Sequence, residues 1–304
     1  MSTTASSRLG SLSIVGAATL WGTTGTAASF FPENISPLAI GAATMVGGGI
    51  LLFMLSFRAA RAAFMDTSAT RWLVLGALGV FVYPLAFYSS MDLAGIAVGN
   101  VVSLGTGPVF AAILERAIDH KRLSALWKIT TPVALGGVVV LTLSGGHLGP
   151  TAPGSTSTGV GLGVLAGLSY ALYTYCSTRV IRAGHSSGAT MGAMFGVGAL
   201  PLLPILLIFG APLVQSGATV SIAVYLIVGP MFVAYILFGI GLRTTASSTA
   251  TTITLLEPVV ATLLAVIVVG ESLAPTAWVG LVLIFVAVTV LSTASHPRKT
   301  LVSP

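Results

Sequence analysis

The sequence predicts an all-α integral membrane protein: ten transmembrane helices arranged as two inverted five-helix repeats, with both termini in the cytoplasm. Three observations lead there. The chain of 304 residues is 55% hydrophobic and only 7% charged, where soluble domains carry roughly a quarter charged residues. Apolar runs near the length of about 20 residues that a helix needs to cross a bilayer recur from end to end. Similar short segments recur about 150 residues apart. The runs are long and continuous, not short and alternating, so helices and not a barrel satisfy the backbone in lipid.

Taken in order, the spans fall at roughly 9–31, 36–57, 71–90, 95–115, 125–143, 159–178, 188–210, 220–241, 246–269 and 274–292. The N-terminal MSTTASSR and the apolar run behind it have the look of a signal peptide, but the run is long enough to be the first span itself. PENISP separates the first span from the second, and DLAG precedes the fourth. Both carry turn chemistry. The long linker, SGGHLGPTAPGSTST at 144–158, divides a first repeat at 9–143 from a second at 159–292 and is expected on the periplasmic or extracellular side.

Lys and Arg collect in cytoplasmic loops. With the N-terminus inside, Arg8, then Arg58, Arg61 and Arg71, then Arg116, Lys121, Arg122 and Lys128 all fall inside. So do Arg179 and Arg182, Arg243, and finally Arg298 and Lys299. That accounts for all 13 basic residues, and shifting the count by one helix scatters them over both faces. The net charge of +6 is therefore a sign of sidedness, and no nucleic-acid partner is expected. Cys176 is the lone cysteine and forms no internal disulfide.

The repeat is legible in four helix pairs. PVFAAIL at 108–114 matches PVVATLL at 258–264, and GAATMVG at 41–47 matches GAMFGVG at 192–198. Phe81, Val82 and Phe87 match Phe232, Val233 and Phe238, and Trp21 matches Tyr170. An odd number of helices per unit makes the second copy enter the membrane from the opposite side. HKRL at 120–123 accordingly becomes GESL at 270–273. Inverted repeats mark alternating-access transporters.

Pro108 and Pro258 are equivalent by the repeat, sit mid-span and each free a carbonyl one turn earlier. Gly105 and Gly107 loosen the fourth helix further. Interrupted helices at matching points of two halves point to a midplane site, so these four are the expected helix-break or gating residues. Asn100, Ser103 and Gly107 share a face of the fourth helix, and Ala250, Ile253, Thr254 and Glu257 share the matching face of the ninth. Glu257 is the acidic residue placed in the core of a span. An ionised carboxylate there costs about 2.5–3.5 kcal/mol on insertion scales. It reads as a proton-coupling site, as a counter-charge for a substrate amine, or as a carboxyl that only ties helices together.

The aromatic residues Trp21, Tyr83, Phe87, Tyr88, Tyr170, Tyr173, Tyr235 and Phe238 fall near mid-depth or towards one end. Trp21, Tyr83, Phe87, Tyr170, Tyr173 and Tyr235 join Asn100, Ser103, Thr254 and Glu257 as candidate substrate-binding residues; interfacial belts and helix packing are the competing roles for the aromatics. Gly159, Gly163 and Gly167 form G-x-x-x-G steps suited to close helix packing. His120, His147, His185 and His296 lie in loops or tails without clustered partners, so no metal is expected. No Walker motif is present, and a membrane-embedded enzyme would need a nucleophile–base pair that the spans lack. No catalytic residues and no cofactor are expected.

The tandem halves, the LWG at 20–22, PVFAAIL, and LLEPVVATLLAVIVVGESL at 255–273 resemble the EamA-type transporters of the drug/metabolite transporter superfamily. The similarity covers essentially the whole chain. It implies a ten-helix carrier whose cavity lies between the halves, lined mainly by the first, third, fourth, sixth, eighth and ninth helices. It further implies secondary-active export of a small metabolite such as an amino acid, or efflux of cationic or aromatic drugs by the same mechanism. ERAIDHKRLS at 115–124 departs from the simpler Gly-Glu-Arg-Leu exit of many members, so no role is carried over for Lys121 or Arg122. The expected partners are a small-molecule substrate and the lipid bilayer, with the chain a monomer or homodimer in a bacterial cell membrane.

Overall fold

A computed structural model describes residues 3–144, 155–270 and 272–293. Most of the expected linker, Glu271 of the GESL segment, His147, His296, Arg298 and Lys299 lie outside the described residues. Among the described residues the regular elements are all helices. We label the helices α1 (Thr3–Ala28), α2 (Pro37–Leu55), α3 (Phe57–Met65), α4 (Thr67–Ala94), α5 (Ile96–Asp119) and α6 (Ala125–Ser144). The remainder are α7 (Ser155–Arg182), α8 (Ser187–Phe209), α9 (Gly217–Leu242), α10 (Ser247–Val269) and α11 (Pro275–Thr293).

Nine of these, α2 and α4 to α11, are long and apolar enough to cross a membrane. Helix α1 matches them with 26 residues but carries more Ser and Thr. Large side chains such as Met54, Ile129, Leu207, Ile267 and Phe285 face outward. Lipid solvates them as well as a protein core would.

Helix α3 falls in a segment read as a loop. Ala and Arg are strong helix formers, and FRAARAAFM turns Ala60 and Ala63 inward while Arg58 and Arg61 stay exposed. Asp66 then caps α4, accepting from the Ser68 N–H at 2.9 Å, and meets His185 Nε2 at 2.9 Å. The Ser68 hydroxyl, His185 and the Ser68 amide hold the Asp66 carboxyl at about 2, below its usual 3.8. Its contribution is therefore present above about pH 4 and is lost as pH falls towards 2.

Helices pair across the two halves of the chain. Helix α1 packs on α9 and α10, and α7 packs on α4 and α5. Helix α2 packs on α8, and α6 on α11. Each contact thus has a counterpart about 150 residues away. Glycines permit the closest approaches: a Cβ on Gly137 would lie 2.8 Å from the Gly280 carbonyl oxygen. One on Gly167 would lie 2.8 Å from the Ser103 carbonyl oxygen, and Gly163 and Gly159 are similarly tight against α4 and α5. The glycine steps of α7 are packing surface, as their spacing suggested.

Gly167→Val is expected to lower the melting temperature in detergent and the yield of monodisperse protein, because overpacking typically costs about 1–3 kcal/mol. Gly161→Ala on the same helix, where an added Cβ meets nothing within 4 Å, is expected to melt like the wild type.

Candidate functional site

A cavity of about 130 Å³ opens inside the bundle. Its wall is built from α1 (Trp21, Thr24), α2 (Gly41, Thr44, Met45), α4 (Tyr83, Pro84, Phe87, Tyr88) and α5 (Leu104). Tyr170 and Tyr173 of α7, Leu226, Pro230, Met231 and Tyr235 of α9, and Glu257 of α10 complete it.

The position of Glu257 follows from the proline after it. Pro258 has no N–H to give to the Thr254 carbonyl. The chain tightens instead into a 3₁₀ turn at Thr254–Leu256, in which the Glu257 N–H donates to that same carbonyl. Helix α1 seats directly against this point, for a Cβ on Gly22 would lie 2.8 Å from the Glu257 carbonyl oxygen. The Glu257 side chain is half-buried and lines the cavity. No hydrogen bond or ion pair joins its carboxyl to any described residue.

Around it stand seven aromatic side chains. Trp21 leans on Tyr235 with centroids 5.0 Å apart, and Tyr83 stacks on Phe87 at 5.5 Å. Tyr170 and Tyr173 meet at 5.3 Å, with Phe195 behind Tyr235 at 4.1 Å. Hydroxyl contacts fix the rings: Tyr170 Oη lies 2.6 Å from Thr254 Oγ1, and Tyr173 Oη lies 3.1 Å from Tyr235 Oη. Thr254 donates its own proton to the Thr251 carbonyl at 2.9 Å, so Tyr170 is the donor in its pair.

Of the candidate binding residues, the structure brings together Trp21, Tyr83, Phe87, Tyr170, Tyr173, Tyr235 and Glu257 on one wall. Thr254 stands behind it as the partner of Tyr170. Asn100 and Ser103 are not among the lining residues. The small-residue stripe that includes Ser103 and Gly107 packs on α7, where a Cβ on Gly107 would lie 2.8 Å from the Tyr170 ring. Leu104, one step round the helix, takes the cavity position. Pro108 sits in an unbroken α-helix, so the irregularity expected at both prolines occurs only at Pro258. Helix α9 supplies a second one, a π-helical stretch at Ile227–Val233 around Pro230. The wall residues of α2 were outside the expected lining helices; GAATMVG carried a repeat signal, but its Thr44 was not singled out.

A second buried carboxyl lies near the C-terminal end of α5, away from the mid-helix position of Glu257. Glu115 on α5 is 3% exposed. Its Oε1 accepts from the Ser247 N–H at 2.8 Å, and its Oε2 accepts from the Ser248 hydroxyl at 2.6 Å. It is thus a carboxylate at the N-terminus of α10, where the helix dipole favours negative charge. Nearby, Trp127 Nε1 donates to the Ser248 carbonyl at 3.0 Å, and Asp119 binds Tyr175 Oη at 2.9 Å together with Arg179 and Lys121. These contacts seal the basic end of the bundle. Glu257 is ten residues past Ser247, hence about 15 Å along α10 from that seal. The cavity lies beyond it, towards the opposite end.

Known proteins agree with this architecture. The model of the EamA-like transporter family matches residues 8–143 and 157–293. The uncharacterized transporter YwfM of Bacillus subtilis is 32% identical over 290 residues, covering 95% of this chain and 96% of its own. The uncharacterized inner membrane transporter YicL of Salmonella typhimurium is 24% identical over 299 residues, covering 96% and 98%. A crystal structure 21% identical in sequence superposes with a TM-score of 0.75 over 92% of this chain and 95% of that one, and so shares the fold.

Glu115→Ala is expected to loosen the basic end. In a background lacking Cys176, a cysteine placed at the fully buried Thr251 should then react with maleimide about tenfold faster or more, as charged hydrogen bonds contribute about 1.5–3 kcal/mol. Equal rates with and without Glu115 would show that the carboxylate does not hold this end shut.

Proposed function

The chain belongs to the EamA-like transporter family, and from that membership and its cavity we propose a secondary-active transporter that exports a small metabolite, such as an amino acid, by alternating access. It is a multi-pass membrane transporter and not an enzyme. The reading takes ten spans as two inverted repeats, 9–143 and 159–292, joined by 144–158, with both termini in the cytoplasm. The one-sided distribution of Lys and Arg supports that orientation, and the reciprocal pairing of helices across the halves supports the inversion. The name of YicL supports a bacterial inner membrane.

The observation that carries the reading is Glu257, a carboxyl on a cavity wall with no partner among the described residues. Such a group is expected to meet its partner in the transported molecule or in a proton. With the basic end cytoplasmic, the arrangement is closed inward, and the cavity belongs to the outward-facing half of the cycle. Rocking of the halves would break the Glu115 and Asp119 contacts and open the other side. Glu257 would exchange a proton for substrate between the two states.

Efflux of cationic or aromatic drugs is the second reading, favoured by the seven aromatic walls. Size weighs against it. An apolar cavity of about 150 Å³ takes one benzene ring, so about 130 Å³ suits a compact solute rather than a multi-ring dye.

In proteoliposome counterflow, Glu257→Gln is expected to cut exchange about tenfold or more, the loss of one charge-assisted contact, while the protein still inserts and folds. Full exchange with an unchanged response to a pH gradient would remove Glu257 from the mechanism. Pro258→Ala is expected to restore a regular helix at Thr254–Leu256 and to slow turnover more than it weakens binding; wild-type turnover would confine Pro258 to helix packing.

A further inference from the structure

The wall of the cavity carries one acidic side chain, Glu257, and no Lys, Arg or His among the described residues. The hydroxyl protons near Glu257 are partly committed: Tyr170 donates to Thr254, and Thr44 donates to the Gly41 carbonyl at 2.9 Å. One proton of the Tyr173–Tyr235 pair is shared between them. A ligand carboxylate would find only neutral donors, beside a second carboxyl and largely out of water. That is an expensive environment for an anion. An ammonium group meets the opposite situation. Glu257 supplies an acceptor with no partner among the described residues, and the rings of Trp21, Tyr83 and Tyr235 that line the cavity offer the quadrupole attraction that aromatic cages use for cations.

We propose that the cavity selects compact organic amines lacking a carboxylate over the corresponding amino acids, with the ammonium on Glu257 and the apolar body against the aromatic rings. This rests on the transporter reading above, departs from its amino-acid example, and favours monocations of about one ring or an equivalent branched chain, in keeping with the cavity volume of about 130 Å³. The selection is electrostatic. A neutral amide in place of the carboxylate, nearly the same in shape, is accepted.

The test is isothermal titration of the purified full-length protein with three probes: phenethylamine, phenylalanine amide and phenylalanine. A second set of isoamylamine, leucine amide and leucine covers the aliphatic case. The amines and amides are expected to bind about tenfold tighter than the amino acids or better, the discrimination that one unpaired buried charge confers. In Glu257→Gln the amines are expected to lose that advantage. Amino acids that bind as tightly as their own amides would overturn the inference, and so would an unchanged preference in Glu257→Gln or the failure of every amine and amide to bind. Counterflow of an amino acid in parallel separates the two levels. Tight amino-acid binding together with exchange would overturn the amine selectivity and leave the exporter standing.

Discussion

A carboxyl group held inside a membrane protein without a partner constrains everything around it. Lipid cannot solvate it, and an ionised form costs about 2.5–3.5 kcal/mol on insertion scales. The group must therefore face a cavity, and the cavity must be kept from collapsing. The structure does both. Pro258 forces the 3₁₀ turn that sets the Glu257 backbone, Gly22 lets α1 brace it, and the hydroxyl pairs Tyr170–Thr254 and Tyr173–Tyr235 stiffen the rings opposite. Bulky rings held in place by hydroxyl contacts keep the space open where flexible side chains would fill it.

The second carboxylate shows the alternative solution. Glu115 is as buried as a residue of its kind can be, yet both its oxygens are satisfied by the first residues of α10. The two acids thus divide the labour along a single helix. One end of α10 is held by Glu115, and ten residues on Glu257 waits for a partner. Because the helices pair reciprocally across the halves, α5 and α10 are counterparts, each packed on the opening helix of the other half. A contact that joins their ends is well placed to set which side of the membrane is closed. The aromatic residues at the cavity lie beyond that contact, consistent with a molecule shut at its basic end.

What the sequence revealed follows from the kind of information each feature carries. Spans depend on average hydropathy over about 20 residues, so the succession of long apolar helices was legible. Trp21, Tyr83, Tyr170, Tyr173, Tyr235 and Glu257 were legible because a large aromatic or a charge inside a span needs a reason. The contribution of Gly41, Thr44 and Met45 was not, since nothing distinguishes cavity-lining small residues from packing ones until neighbouring helices are placed. The same ambiguity holds for Ser103 and Gly107, which meet α7 at Gly167 and Tyr170. Glu115 escaped notice because its burial depends on α10 arriving from 132 residues away. The two prolines looked alike in sequence, but of the two only Pro258 adjoins an irregular turn, and other irregular stretches arise at Leu200–Leu202, Ile227–Val233 and Ala265–Val269.

The central claim is that Glu257 is open to the cavity and unpartnered while Glu115 is sealed. Reaction with an apolar carbodiimide, followed by peptide mass spectrometry, measures this directly, because the reagent reaches carboxyls inside membrane proteins only where space and a free oxygen are present. The expected result is modification of Glu257 with Glu115 untouched, slowed when phenethylamine fills the cavity. Modification of Glu115 in preference to Glu257, or labelling of Glu257 that no ligand slows, would contradict the account.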